Sequence, residues 1–279
     1  MDLIQSLVIG IVQGLTEFLP ISSTAHVRII PSLLGWNDPG AAVTAVTQLG
    51  TLAAVLIYFR NDLYSLTHAG VRSVIQFSRR NEWDGKMVKE TKLFWFIALG
   101  TLPIGIFGLM FKHRIETDLR SLTIIGWSLI GLAVLLALAE AAAKHRRKIE
   151  EMNFIDTQII GIAQAVALIP GSSRSGVTIT AGLFLGLTRE SAARFSFLLS
   201  VPAILASGLL ELKDLVQRGI GDEGLFNLIF ATLVAGVVGY LSIAFLIRWL
   251  QTRSTLIFIV YRIALGTLIL YLSGQQIIN

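Results

Sequence analysis

The sequence contains no cysteine, which excludes disulfide bonds and thiol-based catalysis but says nothing about the compartment in which the protein works. Charged residues are also scarce, at 15% of 279 positions, against roughly a quarter in an average soluble domain. Apolar runs take their place, because hydrophobic residues make up 54% of the chain. Several runs reach the roughly 20 residues with which a helix crosses a bilayer. The composition therefore predicts an all-α polytopic membrane protein.

Six apolar segments are long enough to span a bilayer as single helices. They cover residues 40–60, 93–111, 121–143, 190–211, 225–248 and 256–273. Two further stretches, 2–35 and 155–187, are interrupted by proline and small polar residues, so that neither half could span alone. Broken backbone at membrane depth is tolerated only inside protein or beside a wet cavity. We therefore expect six transmembrane helices plus two re-entrant helical hairpins; two proline-kinked spanning helices are the alternative.

The two broken stretches resemble each other. The run IGIVQGLTEFLPISSTA from Ile9 matches IGIAQAVALIPGSSRSG from Ile160, with a one-residue gap before the paired serines. Three spans follow each copy, and because a hairpin returns to its own side, the second copy must enter the membrane inverted. The sequence thus predicts one integral membrane domain, 1–279, made of inverted-topology repeats at about 1–150 and 151–279. In such repeats the broken tips meet near the midplane and form a site.

The distribution of basic residues predicts the orientation. Loops at about 60–92, 144–156 and 248–255 hold 13 Lys and Arg, whereas the loops on the other side, at about 24–39, 112–120 and 212–224, hold 6. By the positive-inside rule the richer side is cytoplasmic, so both termini and the mouth of the first hairpin face outward. The net charge of +5 is interpreted in the same way and does not imply nucleic-acid binding.

Two further features of the chain concern the ends of the membrane segments. Asp2 and Glu17 stand where a signal peptide would carry basic and apolar residues, so we expect the N-terminal segment to be part of the mature structure. The stretch DLYSLTHAGVRSVIQF, residues 62–77, has an amphipathic pattern. It is compatible with a helix on the inner membrane surface and equally with a solvated loop.

The second broken stretch contains the run PGSSRSG at its tip, and this run has the composition of an anion site. Glycine lets backbone N–H groups approach a ligand closely, and we expect Gly176 or the residues just after it to open a new half-helix, whose N-terminus attracts negative charge. Arg174 carries a planar guanidinium that can bind two phosphate oxygens. The candidate diphosphate-binding residues of this tip are Gly171, Ser172, Ser173, Arg174, Ser175 and Gly176, with Gln164 in the preceding half-helix and Gln13 at the matching position of the first stretch.

The first tip mirrors the second. Ser22, Ser23 and Thr24 are expected to cap and bind anions at the start of a half-helix that carries His26 and Arg28. Ser23 lies three residues before His26, a spacing that allows a hydrogen bond between a nucleophile and its base. Two such tips converging on one point favour a multiply charged anion, above all a diphosphate.

Glu17 does not suit a pure anion site, because its carboxylate would repel the ligand. It becomes compatible if it binds a divalent cation, with Gln13 one turn earlier as a second oxygen donor. Alternatively, burial would make Glu17 a proton carrier, or Glu17 and Arg174 would form an ion pair that only locks the hairpins together.

The runs QGLTEFLPISSTAH and PGSSRSG, together with QLGTLAAVLIYF, resemble the undecaprenyl-diphosphate phosphatase family of the bacitracin-resistance type. The resemblance covers essentially the whole chain. It implies hydrolysis of a C55 polyprenyl diphosphate to the monophosphate, an inner-membrane location, and dependence on Mg²⁺ or Ca²⁺. The functional positions that it implies are Gln13, Glu17, Ser23, His26 and Arg174. Gln13 replaces a glutamate common in the family, which puts a two-carboxylate metal site in doubt, and Ala25 replaces a glycine.

The roles that we expect follow from in-line attack at the terminal phosphorus. Ser23 is the nucleophile, His26 its base or the acid for the leaving group, Arg174 the clamp on the transition state, and Glu17 the metal ligand; His26 as direct nucleophile stays open. A lipid-phosphate or anion transporter with the same midplane site is the alternative function. The sequence does not determine the oligomeric state, and a homodimer is compatible with it.

Overall fold

The computed structural model describes residues 1–75, 84–116, 119, 121–218 and 222–278. Within these residues the chain forms helices and connections, with no strand beyond one isolated bridge between Arg147 and Leu187. The helices are α1 (Leu3–Phe18), α2 (Ser23–Leu33), α3 (Gly40–Tyr58), α4 (Arg60–Ile75), α5 (Gly85–Glu116), α6 (Leu122–Ala142), α7 (Phe154–Val166), α8 (Arg174–Phe184), α9 (Arg189–Arg218), α10 (Asp222–Thr252) and α11 (Leu256–Gly274). A 3₁₀ turn at Ile149–Glu151 precedes α7.

All six segments that the sequence assigns to spanning helices are helical. In the described residues α5, α6, α9, α10 and α11 are each long and apolar enough to cross a membrane, and α3 passes the same test together with α4. The chain is therefore a polytopic helical membrane protein, as predicted. The predicted loops at 112–120 and 212–224 are too long, because α5 and α9 continue to Glu116 and Arg218. Lys, Arg and Glu are good helix formers, so charge ends the embedded part of a helix without ending the helix.

The amphipathic stretch after α3 is helical over the described residues, and its last two residues, 76 and 77, lie outside them. Helix α4 turns away from α3 by 83° and packs against α5, where the Trp95 indole N–H donates to Ser73 Oγ at 3.0 Å. The Phe94 ring of α5 packs directly against Gly70 of α4, in the space that a side chain at Gly70 would occupy. The interpretation as a solvated loop is therefore wrong.

Both broken stretches break where the sequence predicts. Helix α1 ends at Phe18 before Pro20, and α7 ends at Val166 before Pro170. The second half-helices, α2 and α8, are 11 residues each. Helix α8 begins at Arg174, so the predicted start at Gly176 or later is wrong; Ser173 accepts the Gly176 N–H and caps the helix earlier.

The two half-helices begin with the same backbone geometry. Ser22 and Ser173 are the N-caps, with φ values of 74° and 68°, in the left-handed region that non-glycine residues rarely adopt. Their hydroxyls accept the backbone N–H of Ala25 and Gly176 at 3.4 and 3.1 Å. Ser22 follows Gln13 by the same number of residues as Ser173 follows Gln164. The two stretches therefore align without the predicted one-residue gap, and Ser23 corresponds to Arg174.

Close helix contacts at small residues hold these elements in place. Such contacts are usual in membrane proteins, because in lipid the hydrophobic effect does not drive helices together. Helix α1 and helix α3 both pack on α10, α7 packs on α5, and α6 packs on α11. A methyl group at Gly50 would lie 1.9 Å from the Thr232 carbonyl oxygen of α10, and one at Gly161 would lie 2.4 Å from the Gly100 oxygen of α5. Near the first tip, the buried rings of Phe18 and Phe197 meet edge to face at 5.2 Å.

The Gly50 contact makes a testable prediction. Replacing Gly50→Ala forces α3 away from α10, because the clashing atom is backbone and cannot rotate away, and overpacking costs about 1–3 kcal/mol or more. We expect a lower midpoint of thermal unfolding for the detergent-solubilised protein. The matched control is Gly131→Ala in α6, where nothing lies within 4 Å; it should leave the midpoint unchanged or raise it, since alanine favours helix. Equal midpoints for the two variants would contradict the packing described here.

Candidate active site

The tips of the two broken stretches touch each other. Arg174 Nη2, at the start of α8, pairs with Glu17 Oε1, in the last turn of α1. Ser175 Oγ adds a bond from the second tip to the first, donating to the Leu19 carbonyl oxygen at 3.2 Å. The side chains of the pair are 16% and 4% exposed, so both charges lie largely away from water. The expected meeting of Glu17 and Arg174 is thus present in the fold.

The Glu17 carboxylate is the centre of this contact. Its Oε2 accepts hydrogen bonds from Gln13 Nε2 at 2.7 Å and from Ser23 Oγ at 2.8 Å, while Oε1 faces Arg174. A buried carboxylate is tolerated in an apolar interior only when it is paired and hydrogen-bonded. Three donors from α1, α2 and α8 meet that condition, and they hold Ser23 and Arg174 on the same carboxylate.

A cavity of about 380 Å³ opens beside this cluster. Seven of the candidate residues line its polar end: Glu17, Ser22, Ser23, Thr24, Gly171, Ser173 and Arg174. Its remaining walls are mostly apolar and come largely from α5 and α9, with Ile104, Leu109, Pro202 and Leu210 among them. Gln48 of α3 and residues 167–169 after α7 complete the lining. The cavity therefore joins a polar end, which contains the Glu17–Arg174 ion pair, to a mostly apolar wall.

The other candidate residues do not line this cavity. Gln13, His26, Gln164, Ser172, Ser175 and Gly176 lie behind its surface. Gln13 bonds to Glu17, which lines the cavity, whereas Ser175 bonds to the Leu19 carbonyl oxygen, which does not. Arg28 pairs with Asp38 at 3.3 Å on the far part of α2. Seven of the thirteen candidate residues thus line the cavity.

The expected hydrogen bond between Ser23 and His26 is absent, and this expectation was wrong. Ser23 donates to Glu17 instead, because the left-handed backbone at Ser22 turns it toward α1. His26 is 5% exposed; its Nδ1 lies 2.7 Å from the Ser22 carbonyl oxygen and its Nε2 lies 2.7 Å from the Tyr261 hydroxyl. Spacing along a helix could not reveal either partner, since Tyr261 comes from α11.

Arg262 is a polar residue of the site that sequence reasoning missed. It lies in α11, is fully buried, and donates to carbonyl oxygens of both tips, including Pro20 at 3.3 Å and Ser172 at 3.0 Å. The segment 256–273 was interpreted only as a spanning helix. A charged residue inside such a helix is by default a functional candidate. The arginine at position 262 was therefore the signal in the sequence that could have revealed this residue.

Two glutamines have unpaired polar atoms. Gln13 Oε1, and both amide atoms of Gln164, are buried without a hydrogen-bond partner among the described residues. Gln13 Oε1 therefore leaves an oxygen donor free next to the Glu17 carboxylate. The described residues contain no group of three or more His, Cys, Asp or Glu that could hold a metal by themselves. Mg²⁺ is commonly held by one or two carboxylates plus substrate phosphates, and Glu17 with Gln13 Oε1 fits that smaller donor set.

Comparisons with known proteins agree with this arrangement. The profile of a family described as bacitracin resistance protein BacA matches residues 6–268. An undecaprenyl-diphosphatase from Chlorobium chlorochromatii is 54% identical over 278 residues, which cover 97% of this chain and 96% of the relative. One from Chlorobium luteolum is 53% identical over the full length of both chains, and one from Chlorobium phaeobacteroides is 55% identical over 97% and 96%. The chain belongs to the bacitracin resistance protein BacA family.

Proposed function

We propose that this chain is an undecaprenyl-diphosphatase, which hydrolyses the C55 prenyl diphosphate to the monophosphate and inorganic phosphate and so recycles the lipid carrier of cell-wall synthesis. The observation that carries the proposal is the cavity in which Ser23 and Arg174 share the Glu17 carboxylate beside an apolar wall. Relatives named undecaprenyl-diphosphatase are over 50% identical to this chain across almost its whole length. The chain is an integral membrane enzyme.

The two ends of the cavity suit the two parts of this substrate. The diphosphate carries several negative charges, which match the Arg174 guanidinium and the N-termini of α2 and α8. The prenyl tail is pure hydrocarbon, which matches the walls from α5 and α9 at Ile104, Leu109 and Leu210. A substrate bound in this way keeps its tail on the lipid side while its terminal phosphorus lies beside Ser23.

Ser23 is the proposed nucleophile, and Glu17 is the group that takes its proton. Ser23 Oγ already donates to Glu17 Oε2 at 2.8 Å, so the proton moves along an existing hydrogen bond as Oγ attacks the terminal phosphorus. The bond to the bridging oxygen breaks, the lipid monophosphate leaves, and water then hydrolyses the phosphoserine. Glu17 is the better base than His26, because neither ring nitrogen of His26 faces Ser23.

Protonation of Glu17 also changes Arg174. Once Glu17 is neutral, Arg174 no longer has a carboxylate counter-ion at its Nη2 and can turn its fork to the phosphoryl oxygens, where charge develops in the transition state. His26 is a positioning residue in this scheme. Its Nδ1 faces the Ser22 carbonyl oxygen and so stabilises the left-handed cap that aims Ser23 at Glu17.

We also propose that Glu17 and Gln13 would bind a divalent cation, Mg²⁺ or Ca²⁺. Gln13 Oε1 is buried without a partner among the described residues, and one carboxylate plus an amide oxygen leaves most of the coordination to phosphate and water. A bound cation would offset the charge of the diphosphate. The remaining tip residues, Ser22, Thr24, Gly171 and Ser173, are proposed to hydrogen-bond phosphate oxygens.

The proposed architecture is six transmembrane helices and two re-entrant hairpins in an inverted-topology repeat. Two helix contacts between the halves have counterparts: α1 packs on α10 as α7 packs on α5, and α3 packs on α10 as α9 packs on α5. The pairs α6–α11 and α3–α9 join equivalent helices. This pairing of contacts is what a pseudo-two-fold axis in the membrane plane produces. A homodimer is not needed for the site, since one chain supplies both tips.

The cavity is proposed to open to the outer face. It is lined by the ends of α5 and α9 that lie farthest from the basic loops, at residues such as Ile115 and Glu211, and basic loops favour the cytoplasmic side. Both termini then lie outside as well.

The function is tested by release of inorganic phosphate from undecaprenyl diphosphate by the purified protein, with Arg174→Lys as the diagnostic variant. Lysine keeps the charge but cannot make the two-pronged contact, so we expect kcat to fall on the order of 10²–10³-fold. The control is Arg253→Lys, at an exposed position between α10 and α11, which should retain the wild-type rate. Movement of the lipid across vesicles without any phosphate release would instead identify a transporter and would falsify the proposal.

The role of Glu17 is tested by a metal titration combined with a pH–rate profile. Glu17→Gln removes the proposed base and should lower kcat. If Glu17 also holds a cation, the residual activity needs a higher Mg²⁺ concentration for its half-maximal rate, because an amide binds a hard cation poorly. Gln13→Glu should lower that concentration, since it supplies a second carboxylate, and turnover should persist. A metal titration left unchanged by both variants, with only the pH profile of Glu17→Gln altered, would assign Glu17 to proton transfer alone.

The orientation is tested by single cysteines in this cysteine-free chain. Asn37 and Lys144 are both exposed, at the end of the first hairpin and in the connection after α6. In sealed right-side-out vesicles, a membrane-impermeant maleimide should label Asn37→Cys at once and Lys144→Cys only after the membrane is opened. Each cysteine serves as the control for the other, and the reverse pattern of labelling would invert the topology.

A further inference from the structure

Arg262 makes an unusual set of contacts for a residue in the middle of an apolar helix. Its guanidinium donates to five backbone carbonyl oxygens and is 0% exposed. Three of them belong to the two tips, namely Pro20 at 3.3 Å, Gly171 at 3.4 Å and Ser172 at 3.0 Å. The other two, Ser128 at 3.4 Å and Leu129 at 3.2 Å, belong to α6. One side chain thus ties both tips to the α6–α11 pair.

No carboxylate among the described residues lies within ion-pair distance of Arg262. The other strongly engaged arginines differ in this respect, since Arg147, Arg174 and Arg189 pair with Asp156, Glu17 and Glu140. A buried charge is expensive unless it is fully hydrogen-bonded. The five carbonyl oxygens compensate Arg262 in place of an acid. Those of Pro20, Gly171 and Ser172 lie outside regular helix and would otherwise lack donors in the membrane.

The first turn of α8 is shaped around this guanidinium. A methyl group at Gly176 would lie 2.5 Å from Arg262 Nη1, so alanine there would displace the guanidinium from its present position. The contact also sets the direction of a peptide group: a trans peptide points its N–H opposite to its C=O. Because the Ser172 carbonyl faces Arg262, the Ser173 N–H points away from Arg262, and Ser173 lines the cavity.

We propose that Arg262 is a positioning residue for phosphoryl transfer, which sets the distance between Ser23 on one tip and Arg174 on the other. This inference rests on the proposed phosphatase function. The nucleophile and the clamp sit on separate broken helices, and Arg262 is bonded to the turn that precedes each of them. Displacing reacting groups by about 1 Å can cost 10²-fold in rate, so the bonds to Pro20 and Ser172 control turnover without any contact with the substrate.

The test compares variants by steady-state release of phosphate from undecaprenyl diphosphate, with rates expressed per folded, monodisperse molecule. Arg262→Lys keeps the charge but has three donors instead of five, and we expect kcat to fall by about 10²-fold while KM stays near the wild-type value. Gly176→Ala should lower kcat in the same way, because it pushes Arg262 aside. Gly182→Ala is its control: it crowds the same helix, with Ala192 Cβ at 2.9 Å, but lies away from Arg262, and it should keep the wild-type kcat.

The double variant Arg262→Lys with Gly176→Ala separates positioning from general loss of stability. If both changes act through the same guanidinium, their effects on kcat are not additive, as for residues in direct contact. Additive effects, a wild-type kcat in Arg262→Lys, or equal losses in Gly176→Ala and Gly182→Ala would each overturn the inference. If Arg262→Lys does not fold, the comparison of the two glycine variants decides. A wild-type protein that releases no phosphate would refute the proposed function instead.

Discussion

The structure depends on how broken helices satisfy their backbone polar groups inside a membrane protein. Four helix ends meet at the two tips, and each leaves N–H or C=O groups that lipid cannot solvate. Ser22 and Ser173 accept N–H groups at the starts of α2 and α8, and Arg262 donates to the turn carbonyls of both tips. The polar residues of the site are therefore also the residues that allow the chain to break where it does.

The ion pair of Glu17 and Arg174 follows from the same constraint. Either charge alone would be costly at this depth, yet the pair crosses between the two tips and binds Ser23 to the same carboxylate. In the proposed mechanism the residues that stabilise the resting fold also act in catalysis, because a proton moved from Ser23 to Glu17 would loosen the contact of Glu17 with Arg174. The left-handed backbone at Ser22 and Ser173 is the kind of local strain that surrounding contacts sustain at functional sites.

The two tips share a backbone but divide the chemistry. Ser23 and Arg174 occupy corresponding positions at the starts of α2 and α8, whereas Glu17 corresponds to Leu168 on the opposite stretch. One tip therefore carries the carboxylate and the serine that we propose as the nucleophile, and the other carries the cation. In the proposed mechanism neither tip could bind and cleave a diphosphate alone, and the fold brings residues of both tips to one cavity.

The sequence by itself determined the helical membrane class, the six apolar segments, the two breaks and the polar residues at their tips, because hydrophobic run length and proline position are local properties. It also led to the family through the tip motifs. Only the tertiary structure decided which side chains meet. Ser23 bonds to Glu17 and not to His26, since the turn at Ser22 redirects it. Two residues of α11 make the other contacts: Tyr261 bonds to His26, and Arg262 bonds to both tips. Contacts between residues so distant in the chain depend on helix packing, which periodicity along one segment does not encode.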